Sequence, residues 1–145
     1  MRLLALVIAI CAMTACSTPA PQEDRMTQPA APEEALRFGG ISLPPSGRVL
    51  GVENEAGIDE LYRVVVGLPA VDVPELLSDS GFTVPLTPDA GPFQDSVKGF
   101  DLAAGKSVRA GEDTHQVGGR TITRQLAVDE TDPITATVHL WLFTT

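Results

Sequence analysis

Apolar and polar positions alternate along two stretches of the chain, and each stretch predicts a β-hairpin. The first runs from a strand at Arg48 to Asn54, through a turn at Glu55-Ala56-Gly57, to a strand at Asp59 to Leu68. In that second strand the period of two puts Tyr62, Val64, Val66 and Leu68 on one face. The second hairpin joins Arg120–Val128 to Ile134–Phe143 around Asp129–Pro133, with Ile134, Ala136, Val138, Leu140 and Leu142 expected in the core. Between the hairpins the period changes to that of a helix: Val73, Leu76 and Leu77 share a face, and Asp72 and Glu75 have capping-box spacing. Val71 and Leu76 are spaced as a hydrophobic staple, and Gly81 followed by Phe82 suits a left-handed stop, so a short helix is predicted over 73–80.

From Phe82 to His115 the pattern dissolves, because Pro85, Pro88, Pro92 and several glycines break every run. A short strand at Thr83–Leu86 and a helical turn at Phe93–Val97 are the elements expected there. The expected architecture is therefore α+β: an antiparallel sheet of two β-hairpins, one short helix packed on a face, and a long irregular connection.

The N-terminus follows different rules. Leu3 to Ala15 is apolar apart from Thr14, too short for a membrane span of about 20 residues but suited to a signal peptide. Met13-Thr14-Ala15-Cys16 resembles a lipobox, the motif at which bacterial lipoprotein precursors are lipidated on Cys and cut before it. That resemblance implies a signal peptide at 1–15, lipidation of Cys16, and a membrane anchor on the extracytoplasmic side. Ser17 to Leu36 is rich in Pro, Ala, Glu and Gln, which predicts a disordered tether over 16–36 and a single domain over 37–145.

Composition narrows the function. The chain carries 10 basic and 19 acidic residues, a net charge of −9, which repels phosphate backbones and argues against nucleic acid as a partner. Its 2 cysteines are Cys11 and Cys16, both in the N-terminal stretch, so residues 37–145 have no disulfide or thiol chemistry. Gly105-Lys106-Ser107 looks like the end of a phosphate-binding loop, yet the glycine required five positions earlier is Phe100. Glu112, Asp113 and His115 bring two carboxylates and an imidazole together as a metal or acid/base site would, although a solvated loop is the favoured reading and no metal is expected. Asp129, Glu130 and Asp132 lack calcium-loop spacing, and Gly-x-Ser-x-Gly is absent from the sequence. Neither catalysis nor a cofactor is expected.

In the second hairpin, alternation sends Thr121, Thr123, His139 and Trp141 to the face opposite the core. Two readings compete there. The face is an exposed partner surface anchored by the 1 tryptophan of the chain, or the 83–115 connection folds over it and buries Trp141 in a second small core.

The run Leu43-Pro44-Pro45-Ser46-Gly47-Arg48-Val49-Leu50, with Gly57-Ile58-Asp59-Glu60-Leu61, resembles small lipoproteins of actinobacteria. What this implies is location in the cell envelope, with no activity attached. The functional expectation is a membrane-anchored, non-catalytic binding or accessory domain with an envelope protein as partner; an inhibitor or immunity-type lipoprotein is the alternative, and a metal-dependent envelope enzyme stands behind both.

Overall fold

The computed structural model describes residues 27–57, 59–88 and 95–144. Cys16, the signal peptide expected over 1–15 and the first part of the expected tether lie outside the described residues. The chain forms one antiparallel sheet with two short helices on one face, in the α+β class. The strands are β1 (Thr27–Pro29), β2 (Arg48–Glu55), β3 (Leu61–Pro69), β4 (Thr87–Pro88), β5 (Val108–Val117), β6 (Arg120–Asp129) and β7 (Thr135–Thr144). Their order across the sheet is β1-β2-β3-β7-β6-β5-β4. The helices are α1 (Pro32–Gly39) and α2 (Val73–Asp79).

The first hairpin forms where the alternation puts it, with Tyr62, Val64, Val66 and Leu68 all buried in the helix-side core. Strand β3 pairs along its whole length with β7, and Val64, Val65 and Val66 are each fully buried. Three consecutive buried valines require cover on both faces of the sheet, because successive side chains point to opposite sides. Ala35 and Phe38 of α1 and Val73 and Leu76 of α2 cover one face. Residues 95–104 cover the other.

Four expectations need correction. The architecture is wider than two hairpins and one helix, because β5 extends the second hairpin into a three-stranded meander and α1 adds a second helix. Part of the expected tether is ordered: β1 pairs with β2, and α1 begins at Pro32, with Ala35 fully buried and Tyr62 Oη 3.1 Å from Glu34 Oε1. Composition misled here because one small alanine and one flanking phenylalanine, Phe38, suffice to seat a helix of two turns. The β6–β7 register differs by four residues, since Val128 pairs with Val138 and Ile134 is 77% exposed. Asp132 Oδ1 accepts the Ile134 and Thr135 N–H groups, which keeps Ile134 in the loop and starts β7 at Thr135. An even shift preserves the faces, so the remaining core residues of β7 stand as expected.

The start of α2 is the fourth. Asp72 makes no capping bond; a 3₁₀ turn over Ala70–Asp72 leads into the helix, so Asp72 is already helical (φ −96°, ψ −2°) instead of extended as a capping residue must be. Its carboxylate accepts the Ser46 hydroxyl at 2.6 Å, and Val71 is exposed instead of forming a staple. The stop forms as expected: Gly81 has φ +63°, and Phe82 N–H donates to Leu77 C=O at 2.8 Å. Gly40 ends α1 by the same device, with Ile41 N–H donating to Leu36 C=O at 2.8 Å.

Deleting residues 1–36 removes β1 and most of α1, whereas deleting 1–26 leaves every described element intact. Thermal unfolding of the two proteins is expected to differ by well over 5 °C, roughly the shift that 1 kcal/mol gives a domain of this size. Coincident melting would show that α1 contributes nothing to the core.

Candidate functional site

The residues with chemical potential fall on the two faces of the β5–β6–β7 meander. On the helix side, β6 presents Ile122, Arg124 and Leu126 in register, and Arg124 is fully buried. Its Nε donates to Asp113 Oδ1 at 2.7 Å and its Nη2 to Asp113 Oδ2, a bidentate pair across β5–β6. Its Nη1 donates to Ser80 C=O at 2.8 Å and to Gly39 C=O at 3.4 Å, and Nη2 reaches Gly81 C=O at 3.4 Å. These carbonyls end α2 and α1, where unpaired C=O groups concentrate negative potential. The guanidinium also lies over the Phe82 ring, 5.4 Å from its centroid. One cation thus closes both helices onto the sheet.

Glu112, Asp113 and His115 are brought near this clasp but not to one another. They belong to β5, not to a loop, and the period of two turns Glu112 away from the face that carries Asp113 and His115. Glu112 accepts from Gln125 Nε2 at 2.6 Å, while Asp113 is taken up by Arg124. His115 lies under the two helix ends: a Cβ at Gly40 would stand 2.9 Å from its Cδ2, and one at Gly81 would stand 3.5 Å from its Cε1. Among the described residues, no three His, Cys, Asp or Glu side chains group as metal ligands would. The acidic loop is occupied internally as well, since Glu130 pairs with Arg109 at 2.9 Å and Asp129 Oδ1 accepts the Thr131 N–H.

On the opposite face, the exposed partner surface is overturned. Trp141 has no exposed area, His139 is 3% and Thr123 is 7% exposed; of the four residues only Thr121 is exposed. Residues 95–104 lie across the sheet as a strap. Trp141 Nε1 donates to Asp95 C=O at 3.1 Å, and Ser96 Oγ and His139 Nδ1 share a hydrogen bond of 2.6 Å. Lys98 N–H donates to Glu53 Oε1 at 3.0 Å, and Leu102 packs into the cluster of Ala110, Ala127 and Trp141. Gly51 admits the strap: a Cβ there would be 2.8 Å from Val97 Cγ1. The second of the two competing readings, a small core beneath the connection, describes this face.

Burial lowers the His139 pKa from its ordinary value, with the charge of Asp129 opposing. Arg124 and Ser96 were not singled out by sequence reasoning. Arg124 carried a signal, a cation at an inward position between Ile122 and Leu126, whereas Ser96 sits in a stretch with no readable period.

Scans against protein-family profiles, curated proteins and solved structures find no match to the chain.

A histidine kept neutral in the fold gives stability that is present above its unfolded pKa, near 6.5, and is lost as the pH falls below it, where the unfolded chain binds the proton first. Urea unfolding followed by Trp141 emission is expected to show lower stability at pH 5.5 than at pH 7.5, and His139→Gln is expected to shrink that difference. An unchanged difference in the variant would show that His139 does not titrate on unfolding.

Proposed function

We propose that the chain is a lipid-anchored, extracytoplasmic lipoprotein whose domain serves as a non-catalytic binding or accessory module. The observation that carries this reading is Met13-Thr14-Ala15-Cys16 directly after an apolar stretch of signal-peptide length. Lipidation gives the cysteine a physical purpose, because each buried CH₂ contributes about 0.8 kcal/mol and two or more acyl chains hold a protein stably where one does not. No helix among the described residues is long and apolar enough to cross a membrane. Because β1 begins at Thr27, the linker shrinks to residues 17–26, which reach at most about 35 Å when fully extended. The β1 edge is therefore the part of the sheet tied closest to the anchor.

The binding reading is supported by how the polar side chains are used. The carboxylates of Asp113 and Glu130 are taken up by Arg124 and Arg109 and the imidazole of His139 by Ser96, while Glu112 accepts from Gln125 on the exposed side of β5. The acidic balance favours a basic protein surface as partner, which keeps an inhibitor or immunity-type role as the second reading.

Mass spectrometry of the protein isolated from membranes is expected to find a mature N-terminus at Cys16 carrying acyl chains, and Cys16→Ser is expected to abolish both the acylation and the cut. An unmodified terminus at another residue would overturn the lipoprotein assignment.

A further inference from the structure

The outer edge of β5 differs from the other end of the sheet. At the opposite edge, β1 is a three-residue strand ending in Pro29, a blunt end of the kind that prevents strand addition. Next to β5, β4 is two residues ending in Pro88 and pairs only with Ala110 and Arg109. Among the described residues, no strand lies along the outer side of 111–117. Within that stretch there is no proline, no lysine and no break in the pairing to β6.

The hydrogen-bonding phase of this edge follows from its hairpin. Gly118 and Gly119, with φ of +57° and +81°, form a two-residue turn between the paired residues Val117 and Arg120. In such a turn the closing pair exchanges backbone bonds, so Val117, His115, Asp113 and Gly111 bond to β6, and the N–H and C=O groups of Gln116, Thr114 and Glu112 point outward. The pairing of Ala110 with Thr87 of β4 agrees with this phase. The long side chains are held back over their own sheet, Glu112 by Gln125 at 2.6 Å and Gln116 by Thr121 at 2.6 Å.

We propose that a second copy of this chain pairs with the edge, β5 against β5 antiparallel, with the two-fold axis at Thr114. In that register Thr114 faces Thr114 of the other copy, and Glu112 faces Gln116, so every outward backbone group of the stretch finds a partner. Asp113 comes opposite His115 at the intervening non-hydrogen-bonded positions, where no like charges meet; their side chains stay engaged with Arg124 and under the helix ends. The neighbouring registers fail. Centring on Asp113 or Glu112 sets two like charges face to face, and centring on Glu112 also drives the second copy into β4. Centring on His115 or Gln116 sets the stretch against the Gly118-Gly119 turn and leaves fewer outward groups paired. The stretch, which no described strand covers, is thus complementary to itself about one point, which an edge serving an unrelated extended peptide has no reason to be. Pairing at this edge requires no lipid anchor.

Site-specific disulfide trapping tests it, using the full chain with Cys11→Ser and Cys16→Ser so that an introduced thiol stands alone. Thr114→Cys is expected to oxidise to a disulfide dimer, because paired residues at this spacing lie within disulfide range. Glu112→Cys and Gln116→Cys are each expected to stay monomeric alone and to form a mixed dimer together. Thr114→Pro, whose lost N–H serves no bond inside the sheet, is expected to abolish the 112–116 dimer while the protein remains folded by circular dichroism. Absence of the Thr114→Cys dimer, or self-linking of Glu112→Cys as readily as the mixed pair, would overturn the proposal. Amides at 112, 114 and 116 that gain exchange protection only on adding envelope extract would assign the edge to another protein and overturn it equally.

Discussion

The guanidinium of Arg124 stands where the ends of α1 and α2 meet the inner face of β6, and the placement of both helices depends on it. A buried cation at such a position is costly unless each of its donors is used, and here the carboxylate of Asp113 and the carbonyls of Gly39, Ser80 and Gly81 use them. The contact works because two helices stop in the same way. Gly40 and Gly81 both adopt positive φ, so each chain turns away at its last turn and leaves carbonyls directed at one point. Replacing Arg124 by a residue without donors would leave a buried carboxylate unpaired, a loss on the order of 3–5 kcal/mol.

The second constraint is the double-sided burial of β3 and β7. With Val64, Val65 and Val66 all buried, a sheet covered only by helices would expose Val65 and Trp141, and the strap over 95–104 prevents this. The strap is pinned by polar contacts at Asp95, Ser96 and Lys98 and by the close approach of Val97 and Phe100 to Gly51.

Much of this was legible in the chain itself, for physical reasons that differ by element. The first hairpin and β7 could be read because alternation of branched apolar residues is what a half-buried strand requires, and the end of α2 because Gly81-Phe82 has a mechanism. Strand β5 was illegible as a strand because its inward positions are Asp113 and His115, polar residues recruited by Arg124, so the apolar alternation is missing. The Gly118-Gly119 pair before Arg120 was its one local sign. The helix α1 hid in a stretch of Pro, Ala and Glu because its seat needs only Ala35 and Phe38. For the site, alternation correctly grouped Trp141, His139 and Thr123 on one face, but whether that face meets solvent or the strap depends on a long-range fold that no local pattern encodes.

If Arg124 joins the two helix ends to the sheet, its removal should loosen the helices before the strands. Native-state hydrogen exchange on Arg124→Met measures this residue by residue. The expected result is a large loss of protection in the last turns of α1 and α2, with the β3 and β7 amides still exchanging only through global unfolding. Equal loss of protection in helices and central strands, or none in the helices, would contradict the account.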